Sequence, residues 1–178
     1  MKTQREYRLE TWVSEKLEQR SSPIDGIGIF TKMRIALGEC VIIWGGTLFT
    51  QAEIDAGLAR GHTNVAIGEG LYLATPIDQE KSLDDDMNHS CDPNLWMRDE
   101  VTLVARRPIE ISEELTADYA MFQTNEEYLM KKRCNCGNTS CRGIITGRDW
   151  RNSQLQEAYF GHFSPFLNER ISKSKGRN

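Results

Sequence analysis

The stretch MNHSCDPN, at residues 87–94, decides the fold of this 178-residue chain. It concentrates side chains that donate hydrogen bonds, accept them or bind metals, and Pro93 makes its turn rigid. Taken alone, it is equally consistent with a capped surface turn. A second stretch, EELTADY at residues 113–119, ends in a tyrosine that could donate a hydrogen bond or act as a weak general base. A lone tyrosine more often packs in a core, so neither stretch suffices by itself.

Three of the five cysteines lie close together in the sequence CNCGNTSC, residues 134–141. Zinc prefers thiolates in a tetrahedral arrangement, and a tight turn presents its sulfur atoms together. The cluster supplies three ligands, and a closed structural site needs a fourth. The candidates are Cys91 in the polar loop, Cys40 at the start of an apolar run, His89 and His162.

The sequence GIG at residues 26–28 is the weakest of four signals. Two glycines around one residue allow the backbone to approach a ligand closely, although a plain turn explains them equally well. The longer glycine fingerprint of dinucleotide-binding folds is missing, because Thr31 stands at its last position.

Composition predicts a globular chain of one domain, with 39% hydrophobic and 27% charged residues. No apolar run is long enough for a membrane-spanning helix, and residues 1–10 lack the apolar core of a signal peptide. We therefore expect a cytoplasmic, or at least intracellular, protein without membrane partners. The net charge of −4 argues against direct nucleic-acid binding and suits a basic protein partner.

Turn signals divide the chain into many short strands with few helices. Strands are predicted at residues 29–31, 40–44, 95–97 and 101–105, with a hairpin over 64–75 and either a strand or a short helix over 12–17. Capping patterns predict helices over residues 51–60 and 124–132, and two more that begin near Asp149 and Ser164. The pattern indicates a mainly β domain.

Together and in this order, the four motifs resemble those of the SET-domain protein-lysine methyltransferases, over roughly residues 10–145. The resemblance implies a mainly β SET fold of small curved sheets, in which the Asn-His and Asp-Tyr segments cross in a knot-like core. It implies a SET domain at 10–122, a post-SET zinc-binding segment at 123–147 and a C-terminal helical extension at 148–178. It further implies S-adenosylmethionine as the methyl donor and a lysine side chain of a protein as the acceptor.

The resemblance also assigns roles to single residues. Gly26, Ile27 and Gly28 would cradle the methionine part of S-adenosylmethionine. Asn88 and His89 would bind this cofactor near its adenine.

Tyr119 would be the catalytic tyrosine and would also contact the cofactor. Cys91, Cys134, Cys136 and Cys141 would hold one Zn²⁺ ion, which makes Cys91 the fourth ligand. Methyl transfer needs alignment, a neutral amine and exclusion of water rather than a metal. The zinc is therefore expected to be structural and to tie the cysteine loop over the cofactor.

Several positions depart from the family pattern. Asp85 and Asp86 stand where Arg-Phe is frequent, and residues 62–64 lack a second tyrosine that is common there. Ala117 replaces a frequent aromatic residue in the substrate channel, two positions before Tyr119, and its small size predicts a di- or trimethylated product. An alternative is a SET-like binding or scaffold module without activity. A zinc hydrolase ranks last, because four thiolates leave no open metal position.

Overall fold

The computed structural model describes residues 6–61 and 63–176. His62, which belongs to the stretch expected to lack the second tyrosine, lies outside the described residues, as does the end of the predicted C-terminal extension at 177–178. Among the residues described, no helix is both long and apolar enough to cross a membrane.

Eleven short strands in the described ranges form three small sheets. The strands are β1 Trp12–Val13, β2 Leu17–Ser21, β3 Ile27–Thr31, β4 Cys40–Ile43, β5 Thr47–Thr50, β6 Val65–Gly68, β7 Leu71–Ala74, β8 Asn88–His89, β9 Leu95–Met97, β10 Thr102–Ala105 and β11 Glu114–Ala117. Their orders are β1-β4-β10-β9, β2-β3-β11-β8 and β5-β7-β6. The mainly β architecture and the hairpin over 64–75 are confirmed, and the open choice over 12–17 resolves to strands.

Strands β8 and β11 bring the two deciding stretches of sequence side by side. They pair in parallel, with Asn88 opposite Thr116 and His89 opposite Ala117. Strand β11 also pairs with β3, which follows the Gly-x-Gly turn. Three of the four sequence motifs therefore meet in one sheet.

One continuous core connects the sheets with the C-terminal part of the chain. Strands β3 and β10 are buried almost throughout, as expected for short apolar runs that are covered on both faces. Tyr159 and Leu167 from the C-terminal helices pack into the same core. The domain boundaries at residues 122 and 147 stay a prediction.

Helix α1, Gln51–Asp55, begins at the predicted capping box but is shorter than expected. The Thr50 and Glu53 side chains each bind the other's backbone N–H. The helix ends early because Gly57 adopts a left-handed backbone conformation with φ of +76°. The prediction that it continues to residue 60 is wrong.

The two C-terminal helices confirm the predicted helical tail. A single 3-10 turn at Asp149–Arg151 leads to α2, Ser153–Ala158, whose side-chain cap is Asn152 rather than Asp149. Helix α3, Pro165–Lys175, begins at the predicted Ser164, whose hydroxyl oxygen accepts a hydrogen bond from a backbone N–H of the first turn.

The helix predicted over residues 124–132 is absent, and this part of the chain forms a turn at 126–127 followed by an isolated β-bridge at Leu129. Its backbone groups bind a distant segment: Leu129 forms a β-bridge with Thr146, and Met130 N donates to Ile145 O at 3.0 Å. Asn125 caps a local turn in place of the predicted helix start. We call residues 128–135 the cover segment.

Candidate active site

Asn88 ties strand β8 to the Gly-x-Gly turn. Its Nδ2 donates to the carbonyl oxygens of Asp25 at 3.1 Å and Ile27 at 3.0 Å, and to Glu114 Oε1 at 2.8 Å. Glycine at position 28 leaves room for this glutamate, because a Cβ atom there would lie 2.2 Å from the same Glu114 oxygen and the side chain would have to move. The asparagine, the turn and the glutamate thus form one hydrogen-bonded unit.

His89 is a neutral hydrogen-bonding residue at the centre of the site. Its Nδ1 accepts the backbone N–H of Tyr119 at 3.3 Å, so its proton resides on Nε2, which lies 3.3 Å from Cys91 Sγ. Burial lowers the pKa of His89 to about 4, although Asp118 acts in the opposite direction. The ring therefore connects the predicted catalytic tyrosine to a predicted metal ligand.

Arg142, which the sequence motifs did not single out, locks the cysteine region to the Asp-Tyr stretch. Its guanidinium binds both carboxylate oxygens of the buried Asp118, at 2.7 and 2.8 Å. Its Nε donates to Asp149 at 3.0 Å, and the Tyr159 hydroxyl donates to Asp118 at 3.1 Å. Such bidentate, charge-assisted pairs fix orientation as well as proximity.

Four sulfur atoms come together where the polar loop meets the cysteine cluster. The Sγ atoms of Cys91, Cys134, Cys136 and Cys141 all lie within 4.8 Å of one another. Four sulfur ligands at the usual zinc–sulfur length would be roughly 3.8 Å apart, so small side-chain movements would complete a tetrahedral site. Burial raises the pKa of Cys91 to about 11, and the Arg142 backbone N–H, which donates to Cys91 Sγ at 3.3 Å, acts in the opposite direction.

Two other candidates for the fourth ligand, Cys40 and His162, lie elsewhere, whereas His89 is a neighbour of the cluster with its Nε2 3.3 Å from Cys91 Sγ. Cys40 is in β4, where its thiol donates to Ile42 O at 3.9 Å and burial raises its pKa. His162 has its Nδ1 2.9 Å from Met97 O and stacks on the ring of Trp96. Of the alternatives that the sequence left open, the structure brings Cys91 to the cluster.

A cavity of about 520 Å³ lies beneath the cover segment. One wall is the cover segment, and the opposite wall is formed by Ile24, Asp25, Asn88, His89 and Tyr119. The predicted cofactor residues Gly26, Ile27 and Gly28 are not among the described residues that line this cavity. They directly follow Asp25, which does line it.

Contacts of its C-terminal half hold the cover segment over this cavity. Lys132 Nζ lies 2.6 Å from Asp25 Oδ1, and Asn135 Nδ2 donates to Pro23 O at 3.3 Å. Cys134 N donates to Gly143 O at 2.7 Å.

A second cavity, of about 470 Å³, also has Tyr119 in its wall. Its described lining comprises Trp44, Thr63, Asn64, Val65, Asp84, Asp85, Met87, Tyr119, Phe122, Gln123, Asn125 and Tyr128. Tyr119 and Tyr128 line both cavities and so stand between them. Ala117 is fully buried in the core and does not belong to this lining.

The two tyrosines present protonated hydroxyl groups at neutral pH. The Tyr119 hydroxyl donates to Met87 O at 2.8 Å, and burial raises its pKa. Burial also raises the pKa of Tyr128. Sequence patterns missed Tyr128 because the segment that contains it was expected to be helical.

A comparison with known protein families matches residues 26–120 to the SET domain. The chain belongs to the SET-domain family. The mainly β architecture described above is thus a SET fold, as the order of the sequence motifs predicted.

Curated relatives of this SET chain are histone-lysine methyltransferases by name. It is 30% identical over 165 residues to histone-lysine N-methyltransferase ATX2 of Arabidopsis thaliana, with 81% of the chain and 14% of the relative covered. It is 31% identical over 154 residues to histone H3-lysine(4) N-trimethyltransferase ATX1 of the same plant, with 78% and 14% covered. The chain therefore spans about one-seventh of the length of these relatives.

Solved structures show the same fold at lower identity. The methyltransferase domain of human histone-lysine N-methyltransferase SETMAR aligns with a TM-score of 0.55 and 22% identity, over 70% of this SET chain and 55% of that one. Arabidopsis thaliana SUVH6, solved in complex with SAM, aligns with a TM-score of 0.60 and 20% identity, over 74% and 33%.

Proposed function

We propose that this SET chain transfers a methyl group from S-adenosylmethionine to the side-chain amine of a lysine in a protein substrate. One observation carries the proposal: two cavities, of about 520 and 470 Å³, share Tyr119 and Tyr128 in their walls. Such an arrangement suits a reaction in which donor and acceptor enter from different sides and react in line. Alignment and exclusion of water are the main requirements of that displacement.

The cavity under the cover segment would hold S-adenosylmethionine, which supplies the methyl group on its sulfonium. Asn88 and His89 line this cavity, and Asn88 donates a hydrogen bond to the backbone of Ile27 within the Gly26-Ile27-Gly28 turn. We propose the roles that the family resemblance gave to these five residues. The SUVH6 structure that shares the fold was solved with SAM, which supports this choice of cofactor.

The second cavity would receive the target lysine. Its aromatic walls reduce contact with water, which lowers the pKa of a buried amine and favours the neutral, nucleophilic form. Tyr119 would be the catalytic tyrosine, whose hydroxyl oxygen orients the amine between the cavities. Tyr128 would supply the second tyrosine that the sequence was expected to lack.

The four cysteines would hold one structural Zn²⁺ ion. Cys134 belongs to the cover segment and lines the first cavity, and Cys91 belongs to the loop after His89. A metal bound by both would fasten the cover segment to the site. Metal binding by free thiols needs a reducing compartment, so we propose an intracellular site of action.

The relatives suggest the class of substrate and product. Their names refer to histone lysines, and a basic protein suits a chain of net charge −4. Ala117 lies outside the described linings of both cavities, but we still propose that its small side chain leaves room for di- or trimethylated lysine. We expect Ala117→Phe to shift the product towards monomethyl-lysine in mass spectra. Unchanged product proportions would contradict this role.

The transfer itself can be tested with labelled S-adenosylmethionine and core histones. We expect wild-type protein to label a histone, and Tyr119→Phe to reduce the rate by roughly tenfold or more, because the hydroxyl no longer orients the amine. Tyr72→Phe is the matched control, since the Tyr72 hydroxyl binds Gln51 at 2.7 Å outside both cavities. Cofactor binding without transfer would favour the scaffold alternative.

A further inference from the structure

Asp84 is a carboxyl group of the second cavity that the proposed mechanism leaves unused. It lies in a single 3-10 turn, Leu83–Asp86, and lines the cavity together with Trp44. Its Oδ1 atom is buried and has no hydrogen-bond partner among the described residues. A buried polar atom without a partner is unfavourable for folding, so a ligand group that pairs with it would gain binding energy.

The neighbouring acids differ from Asp84 in their surroundings. Asp86 is ion-paired with Lys81 and accepts a hydrogen bond from Gln19 Nε2 at 2.6 Å, and it does not belong to the cavity lining. Asp85 lines the cavity, but one of its oxygens accepts a backbone N–H of the turn at 2.9 Å. The residues described include no cation bound to Asp84 itself.

Aromatic rings surround the space into which a cation would enter. Trp44 and Phe122 meet edge to face with ring centroids 5.2 Å apart, and Phe122 and Tyr119 lie 5.8 Å apart. Ring faces attract ammonium groups, most strongly where water is excluded. A carboxylate among aromatic rings therefore suits a side chain with a long apolar stem and a cationic end.

We propose that Asp84 binds the ammonium group of the target lysine in this cavity and takes up its proton before methyl transfer. The proposal rests on the proposed function. In the proton step, one N–H bond of the ammonium breaks and an O–H bond forms on Asp84, which leaves a neutral amine and a neutral carboxyl group. Neutralising both partners suits a buried cavity, where separate charges are costly.

The surrounding charges place this carboxyl in the useful range of pH. Burial raises the pKa of Asp84 to about 6, aided by the charge of Asp85 and opposed by the nearby polar groups of Ser82 and Trp44. Since the ionised form binds the ammonium, capture of lysine should increase as the pH rises through about 6 and fail below it.

The neighbouring Asp85 is influenced by the charges of Lys81, Asp86 and Arg60. They remain unchanged in Asp84→Asn, so a change in the pH profile of that variant reports on Asp84.

Kinetics of the full chain with core histones test the proposal. We expect Asp84→Asn to lower kcat/KM by about tenfold or more near pH 8, and to remove the loss of activity below about pH 6. Asp84→Glu should restore part of the activity. Asp86→Asn is the matched control and should stay within about twofold of wild type. An unchanged pH profile in Asp84→Asn would overturn the proposal.

A binding experiment separates this proposal from the proposed function, because it needs no methyl transfer. Isotope-labelled protein is titrated with n-butylammonium or neutral n-butanol and followed by NMR. Wild type should prefer the ammonium near pH 8, by about fivefold, and lose the preference near pH 5 and in Asp84→Asn. Equal ammonium binding by both proteins, or none by wild type, would refute the role of Asp84.

The outcome also identifies which claim fails. If wild type shows the preference but labels no histone, the proposed function fails and the cation site stands. Thermal unfolding controls for folding: Asp84→Asn should be at least as stable as wild type near pH 8, because it removes a buried charge.

Discussion

The identity of several residues in this site is explained by contacts that form only in the folded chain. Gly28 looks like an ordinary turn glycine in the sequence, yet a Cβ atom there would displace the Glu114 side chain. Asn88 donates a hydrogen bond to the same Glu114 side chain, so the asparagine and the glycine belong to one structural unit. Glycine and asparagine could be predicted as a functional pair from their order in the chain, whereas their partner Glu114 could not.

Substitution at Gly28 should disturb this unit. We expect Gly28→Ala to lower the free energy of unfolding by about 1–3 kcal/mol, because its Cβ forces Glu114 away from Asn88. Gly61→Ala is the matched control, since a Cβ there meets nothing within 4 Å. Chemical denaturation measures both. Equal stability of the two variants would contradict the close packing described for Gly28.

The cover segment is a part of the chain whose secondary structure was predicted wrongly from local sequence patterns. Thr124 and Glu127 have the spacing of a capping box, but Asn125 caps a tighter turn and the following residues pair with 143–147. Tertiary pairing overrides a local helix signal when the partner strand satisfies the same backbone groups. The observed pairing places Tyr128 in the walls of both cavities. Because a helix was predicted there, the sequence did not indicate Tyr128 as a candidate site residue.

Gly147 allows this pairing, because a Cβ atom there would lie 1.7 Å from Asn125 O. We expect Gly147→Ala to displace the cover segment and to raise the Kd for S-adenosylmethionine by about tenfold or more. Calorimetric titration measures this, with Gly61→Ala as the control. An affinity equal to that of the control would show that the cover segment does not form the cofactor site.

Metal content tests the link between the cover segment and the polar loop. Purified protein should contain about one zinc per chain, and Cys91→Ser should reduce both metal content and thermal stability. Cys40→Ser should retain the metal, since its sulfur lies outside the cluster. Full zinc occupancy in Cys91→Ser would exclude Cys91 as the fourth ligand.

For the whole molecule, the order of four motifs was sufficient to predict the family and its mainly β fold. Each motif was ambiguous by itself, but β8 and β11 bring three of them into one sheet and the cysteine cluster joins them through Arg142 and Asp118. The cavities could not be predicted, because their walls combine residues from distant segments. Asp84 is the clearest example, since a buried oxygen without a partner, rather than residue type, distinguishes it from Asp85 and Asp86 among the described residues.

We propose that this SET chain methylates lysine where the two cavities share Tyr119 and Tyr128 in their walls. Tandem mass spectrometry of core histones, incubated with the purified chain and S-adenosylmethionine, tests it most directly. We expect wild-type protein to add methyl groups to lysine side chains. The extent of lysine methylation should fall strongly with Tyr119→Phe and stay unchanged with Tyr72→Phe. Methylation on another residue type, or equal lysine methylation by all three proteins, would contradict it.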